Sequence, residues 1–517
     1  MVNSAMKIKT TMICVQIMSE SVKEIVDEMV EAKMQGADLV EIRLDYIKDF
    51  QPMDDLKIIL TDKQLPVQVV YRPKWAGGQY EGKENLRLIA LKLAMELGAD
   101  YIDVEFKVAS NFVVDAHVSE PRASKTIVSH HVGGGSTSKE ELNQLIARMR
   151  STGGDIVKLV IDATDITNLA DLFQLLSHSQ VPLIAYSTGE RGLISQLLSP
   201  KFGGFMVYGS LGGKPIPGMP TLDSLKHAYK PDWINEDTEV FGLISKPVGH
   251  SKGPLLHNPT FRYIGYNGVY VPMFVDNLKE FFRVYSSDFA GYSVGFPYKE
   301  AITSFCDELH PLAQAIGAVN TIIRRPSDGK LIGYNTDCEA SITAIEDALL
   351  IGSPNEKAPC ISPLNGKQFV LAGAGGAGRA LAFGARSRGA RIIVFDIDYE
   401  RAKSLAHSVS GEARSFDDIV NMHPEEGAIL ANATPIGMHP NTDRIPVSAE
   451  SLGVYQLVFD SVYTPRKTRL LKEAEAAGAI VVSGVEMFLR QAMGQSILFT
   501  GQKAPEDFMR DIILTKF

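Results

Sequence analysis

KQFVLAGAGGAGRALAFGARSRGARIIVFDID, Lys367 to Asp398, decides how the C-terminal part of this chain folds. The apolar run Phe369–Ala372 reads as a buried strand, and Gly373, Gly375 and Gly378 follow at the G-x-G-x-x-G spacing. A helix of small residues, Ala380 to Arg388, leads into a second apolar strand, Ile392–Phe395, that ends on Asp396. The first glycine permits a tight turn, the second lets a pyrophosphate approach the backbone, and the third lets helix and strand pack closely, with the helix N-terminus facing the phosphates. The spacing alone fits any glycine-rich turn. With strand, helix, second strand and terminal acid in register, it predicts a dinucleotide-binding Rossmann domain. Gly373, Ala374, Gly375, Gly376, Ala377 and Gly378 form the expected cofactor loop.

The remaining length must supply a substrate site. A chain of 517 residues accommodates about three domains. Apolar residues make up 45% and charged residues 22%, as in ordinary globular protein. The net charge of -9, without a long basic block, argues against nucleic acid and anionic membrane as partners. Cys14, Cys306, Cys338 and Cys360 are scattered without metal-ligand spacing, which predicts a reducing compartment and no metal site. No apolar run reaches the ~18 residues of a bilayer span. The N-terminus shows neither a secretory signal nor a Ser/Arg-rich transit peptide, so a cytoplasmic location is expected, or a plastid one if such a segment has been removed. A monomer is expected.

From Thr10 to about Leu222 short apolar strands alternate with amphipathic helices. The strands are expected at Met12–Ile17, Leu39–Leu44, Val67–Tyr71, Tyr101–Glu105, Thr126–Ser129, Ile156–Val160, Leu183–Tyr186 and Phe205–Tyr208. Helical patterns such as Val22–Met34, Asn85–Leu97 and Glu140–Arg150 separate them. This alternation predicts a (β/α)8 barrel with its site at the C-terminal strand ends. Polar residues gather there: Glu41, Arg43, Arg72, Asp103, Glu105, His131 and Lys158. Lys158, inside DIVKLV, is an ammonium in an apolar strand. It either snorkels from a strand end or is a desolvated lysine of lowered pKa able to form a Schiff base with a ketone, His131 moving the proton.

Through VEIRLDY, YRPKWAGG, YIDVE, VSHH and GDIVKLV this half resembles type I 3-dehydroquinate dehydratase. The resemblance implies that Lys158 forms the imine, that His131 is the general acid/base with Glu105 beside it, and that Glu41, Arg43 and Arg72 line the substrate site. Three positions depart from that family. Gln196 stands where its carboxylate-binding arginine belongs, and Pro215 and Met219 replace the serine and glutamine of its last loop. Each charge-assisted bond contributes about 1.5–3 kcal/mol, so a weak or inactive dehydratase is expected.

His227 to Glu239 lacks periodicity and reads as a linker, placing the barrel at 1–226. A substrate domain is expected over 240–340, the nucleotide domain over 341–484, and helices near Glu486–Thr500 and Glu506–Leu514 that return toward the substrate domain. The stretch from Leu350 to Asn365 reads as a surface loop. Alcohol oxidation by a nicotinamide requires removal of the hydroxyl proton, which a lysine paired with a carboxylate relays. Lys299 and Asp337 are the candidates, with Asn320 and Asn335 as hydrogen-bonding partners for a polyhydroxylated ring. Singly these residues also read as a helix-start lysine, an N-cap and two turn formers.

The ordered set PVGHSKGPLLHN, VGFPYKE, GAVNT, GYNTD, NATPIGM, DSVYTP and GVEMFLRQA resembles shikimate dehydrogenase, and the whole chain resembles the plant bifunctional dehydroquinate dehydratase–shikimate dehydrogenase family. The resemblance implies that Lys299 and Asp337 are the catalytic pair, that Ser251, Asn320, Tyr463 and Gln491, with Asn335 and Gln495, serve the substrate, and that Thr434 and Gly484 contact the cofactor. Two departures concern the carboxylate end of the substrate: Gly253 replaces the second serine of Ser-x-Ser, and Gly295 replaces a threonine. Quinate is thicker than shikimate at that carbon, so two glycines would relieve a clash and expose backbone N–H groups or leave room for water. Quinate oxidation to 3-dehydroquinate is therefore expected, with shikimate dehydrogenation as the alternative. A quinate-sensing regulator is a third reading, disfavoured by the intact Lys299, Asp337 and glycine loop. Asp396-Ile397-Asp398 replaces the Asn-Arg-Thr/Ser of NADP-using relatives, so NAD is expected over NADP: Asp396 would accept bonds from a free ribose diol and repel a phosphate by about 3 kcal/mol at ~5 Å and an effective dielectric of ~20. Arg401 nearby would soften that preference.

Overall fold

The computed structural model describes residues 11–61, 63–117, 124–133, 138–249, 251–285, 287–351 and 361–516. Residues 352–360, within the expected surface loop, lie outside that description. Two compact units are present: 1–240 with 267–286, and 241–266 with 287–517.

The first unit carries eight strands at Met12–Ile17, Leu39–Arg43, Val67–Val70, Tyr101–Glu105, Lys125–Val132, Ile156–Ile161, Leu183–Ser187 and Met206–Gly209. Each matches an expected strand to within a few residues, because apolar runs buried on both faces are bounded by helices of a different period. Neighbours pair in parallel from the first strand through the seventh, and the first also pairs with the eighth. The Phe205 N–H donates to Leu183 O at 2.9 Å where the last two strands meet. The result is a (β/α)8 barrel. The expected linker is ordered: Ser224–Tyr229 and Pro231–Trp233 form short helical turns, with Leu225, Ala228, Tyr229 and Pro231 buried. Buried apolar side chains, which a search for periodicity passes over in so short a segment, hold it in place.

The second unit contains two sheets. In the first, strands Glu239–Ser245, Gly291–Val294, Thr321–Arg324, Leu331–Tyr334 and Glu308–Leu309 lie in that spatial order, with parallel and antiparallel pairs mixed. The other sheet is all parallel, in the order Glu412–Ser415, Arg391–Asp396, Gln368–Ala372, Ala428–Asn432, Tyr455–Asp460 and Ile480–Ser483. This is the doubly wound order of a Rossmann domain, and its switch point lies between Gln368–Ala372 and Ala428–Asn432. Both the glycine loop and NATPIGM leave the C-terminal ends of those two strands. The last helices, Gly484–Thr500 and Glu506–Lys516, pack Val485, Leu489, Met509 and Ile513 with Leu256 of helix Gly253–Tyr263.

Candidate functional site

In the glycine loop Gly373, Gly376 and Gly378 each answer a measurable constraint. Gly373 has φ +100°, a conformation that L side chains avoid. A Cβ on Gly378 would come within 2.0 Å of Gly373 O, so helix and strand approach as closely as the motif requires. A Cβ on Gly376 would lie 2.8 Å from Lys299 Cβ, which brings the loop directly against the lysine stem. Gly376→Ala is therefore expected to displace Lys299 and lower kcat about tenfold or more, with folding retained; a parental kcat would show that the lysine tolerates the shift. Thr434 donates its hydroxyl to Asn432 Oδ1 at 2.7 Å and shapes the neighbouring loop. Gly484, whose added Cβ would stand 2.5 Å from Ser461 O, is required for backbone packing.

Lys299 Nζ donates to Asp337 Oδ2 at 2.6 Å, and Asn320 Nδ2 donates to Asp337 Oδ1 at 2.9 Å. Asp337 is buried at the first residue of helix Asp337–Ile351, while the lysine side chain keeps partial exposure. Asn320 is fixed in turn, its Oδ1 accepting the Thr336 N–H at 2.8 Å. The arrangement is a cation with one face open, backed by a carboxylate whose other oxygen is already satisfied.

Asn335 and Gln495 do not present free amides to a ring. Asn335 Nδ2 donates to Ala318 O and its Oδ1 accepts the Cys338 N–H. Gln495 is buried, donates to Asn320 O and Thr321 Oγ1, and accepts from Ser293. Both residues brace the segments that carry Asn320 and Asp337. Gln491 Nε2 donates to Phe488 O, and the Tyr463 ring packs tilted against Phe488, with its phenol pKa pushed up by burial.

The expected exposed N–H groups are not free either. The Gly253 N–H donates to Ser251 Oγ at 3.2 Å, and the Gly295 N–H continues the parallel ladder to Ile244 O at 2.9 Å. Asp396 also turns inward, its Oδ2 accepting the Ala374 N–H at 2.6 Å and its Oδ1 the Asp398 N–H at 2.9 Å. Its carboxylate thus ties the glycine loop to the end of the second strand. Asp398 caps the following helix through the Arg401 N–H, and the Arg401 guanidinium pairs with Glu300. Glu300 was absent from the sequence-based site. It adjoins Lys299 in sequence, but its partner lies a hundred residues away, and no spacing signals such a contact.

In the barrel Lys158 Nζ donates to Glu41 Oε2 at 2.7 Å and approaches Asp103 Oδ2 at 3.1 Å, over the Tyr208 ring. All three charged residues are fully buried. Burial works to lower the lysine pKa, but Glu41, the Tyr208 phenol and Asp103 raise it well above its ordinary value. The expected lowered pKa is corrected: two carboxylates outweigh desolvation. Burial likewise works to raise Glu41, yet Lys158 and Arg72 hold it down at about 2.

Glu105 does not hydrogen-bond His131. Its Oε2 lies 2.7 Å from Arg87 Nη1, without hydrogen-bond alignment, and burial pushes its pKa up to about 7. His131 Nε2 is buried without a hydrogen-bond partner; burial and the Arg72 and Lys158 cations drive its pKa down to about 2. Arg43 forks onto Asp45, while Arg72 keeps Nε and Nη2 buried and unpartnered. Gln196 Oε1 accepts the Tyr208 N–H at 2.9 Å, so this side chain braces the eighth strand.

A family model described as Type I 3-dehydroquinase matches residues 13–236, and one described as Shikimate dehydrogenase substrate binding domain matches residues 243–322. The Arabidopsis thaliana "Bifunctional 3-dehydroquinate dehydratase/shikimate dehydrogenase, chloroplastic" is 51% identical over 97% of this chain and 84% of its own length. The chain belongs to the bifunctional 3-dehydroquinate dehydratase/shikimate dehydrogenase family. A member of this family is an oxidoreductase joined to a dehydratase-type barrel. The Methanothermobacter thermautotrophicus "Shikimate dehydrogenase (NADP(+))" is 36% identical over 54% of this chain and 97% of its own length. A solved structure of the dehydroquinate dehydratase and shikimate dehydrogenase from S. pombe AroM is 23% identical, covers 98% of both chains and has a TM-score of 0.41.

Proposed function

We propose that the second unit oxidises quinate reversibly to 3-dehydroquinate and prefers NAD. The observation that carries this reading is the pair Gly253 and Gly295, which leaves the segments around Ser251 and Lys299 without two side-chain hydroxyls at the carboxylate end of the ring. A site built with fewer partners for a flat carboxylate loses roughly 1–3 kcal/mol per missing bond on shikimate. Quinate carries a hydroxyl of its own on that carbon and so relies less on those two side-chain hydroxyls.

A dinucleotide fits the glycine loop, because Gly373 and Gly378 hold the tight turn and the close helix–strand approach while the side of Gly375 is open, an added Cβ there meeting only Arg401 Nη2 at 3.8 Å. Bound there, its nicotinamide supplies the hydride acceptor. The chain's own residues handle the proton. As the ring hydroxyl gives its proton to Lys299 Nζ, the lysine passes one of its own to Asp337 Oδ2, 2.6 Å away, and the pair returns it to solvent. Asn320 keeps Asp337 aimed during the exchange. Support for NAD comes from Ile397, which leaves no cation at that position, and from Glu300, which engages Arg401.

The barrel is read as a poor dehydratase. Lys158 is held as an ammonium, Gln196 is spent on the eighth strand, and Glu105 pairs with Arg87. A second reading, a conventional bifunctional dehydratase and shikimate dehydrogenase, is favoured by the 51% identity to the Arabidopsis relative of that name. Initial rates with quinate and shikimate, each against NAD and NADP, separate the two. A kcat/KM at least tenfold higher for quinate with NAD is expected; a shikimate and NADP preference would establish the second reading.

A further inference from the structure

Ser245 ends the strand Glu239–Ser245, and Gly295 follows the adjacent parallel strand Gly291–Val294. The two residues face each other across the end of that ladder. A Cβ built on Gly295 would meet Ser245 Oγ at 2.8 Å and Ser245 Cβ at 3.1 Å. The first distance is one that real Cβ atoms essentially never show, and the second is tighter than nearly all of them. The Ser245 hydroxyl cannot simply swing away. It lies 3.0 Å from both Pro247 O and Phe296 O, with one proton to share between them. Those carbonyls belong to the segments that lead to Ser251 and to Lys299. The side chain is buried, so its hydroxyl would leave both carbonyls for no better partner.

We propose that Ser245 and Gly295 form a single specificity unit, in which Ser245 occupies the space beside position 295 and sets the course of both substrate-site segments. Ser245 is a positioning residue: it acts through the Pro247 and Phe296 carbonyls. Position 295 accepts a side chain only when position 245 gives up its own. The inference deepens the reading of Gly295 as part of the ring-acid site and rests on that reading.

The test is a double-mutant cycle on the full chain, with kcat and KM measured for quinate and for shikimate. Gly295→Thr alone is expected to lower kcat/KM at least tenfold on both substrates, because the two segments are forced apart. Ser245→Gly removes both colliding atoms but also the hydroxyl that holds the Pro247 and Phe296 carbonyls, so it is expected to lower kcat/KM severalfold on both substrates together. The combined Ser245→Gly/Gly295→Thr chain is expected to recover at least tenfold over Gly295→Thr and to move the shikimate-to-quinate ratio at least tenfold upward. A merely structural role would move both substrates together and leave that ratio in place. Independent effects, with Gly295→Thr alone shifting the ratio as far as the combined chain, would overturn the proposal. Should Gly295→Thr fail to fold while the combined chain folds, the steric coupling is supported. Should both fail, Gly295→Ala with and without Ser245→Gly repeats the cycle with the Cβ alone. Parental preference for shikimate would refute quinate oxidation, yet coupling between the two positions would still be decided by the same data.

Discussion

Replacing Lys299 by Met is expected to lower kcat on the ring alcohol about 10³-fold while leaving KM and nucleotide affinity within a few-fold of the parent. Methionine keeps much of the apolar stem that rests on Gly376, so the loop contact survives. What disappears is the nitrogen that takes up the hydroxyl proton, and positioned acid–base groups contribute about 10²–10⁴ in rate. Asp337 remains buried with Asn320 as its partner. Asp337→Asn is expected to fall less far, because the amide still accepts a bond from Lys299 but can no longer store the proton. Steady-state kinetics and nucleotide fluorescence titration check both variants. An equal rise in KM with parental kcat would show that Lys299 only holds the substrate.

The contact between Lys299 and Asp337 was legible because VGFPYKE, GAVNT and GYNTD precede the glycine loop as an ordered set, and order carries information that single residues lack. The barrel strands were legible for a different reason: strands buried on both faces stand out against helical periodicity. Side-chain commitments were not legible. Asn335, Gln495 and Asp396 look like ligand-binding groups in a string of letters, and each is taken up by backbone or buried amides of its own unit. The direction of the Lys158 shift failed on the same ground. Asp103 stands two residues before Glu105 on one strand face, and strand register brings it, Glu41 and Lys158 together. A second carboxylate at that distance reverses the sign that desolvation alone would give.

Lys158→Met should accordingly cost the barrel about 3–5 kcal/mol. Removing the ammonium leaves two carboxylates in a dry interior, Glu41 with Gln16 and a share of Gln68 Nε2, and Asp103 with only the other share of that amide nitrogen. Because two units make global unfolding a poor two-state measurement, local stability is better read by hydrogen exchange of the peptide containing Ile156–Ile161 in the full chain. Faster exchange by two or more orders of magnitude is expected, and parental protection would mean that the carboxylates found other partners. Acid response supplies an independent check. Glu41 has a folded pKa near 2 against 4.5, so its contribution is complete above pH 4.5 and declines as pH falls toward 2. His131, near 2 against 6.5, is lost from pH 6.5 downward. Glu105, raised to about 7, acts in the opposite sense between pH 7 and 4.5, because the folded form there holds a proton that the unfolded chain releases. His131 and Glu105 therefore offset each other down to pH 4.5. Below it Glu41 and His131 act together, both destabilising the fold as pH falls. The parent should hold level to pH 4.5 and then fall steeply. In Lys158→Met the cation that depresses Glu41 is gone, so the decline should begin at higher pH, and adding Glu41→Gln should restore part of the level region.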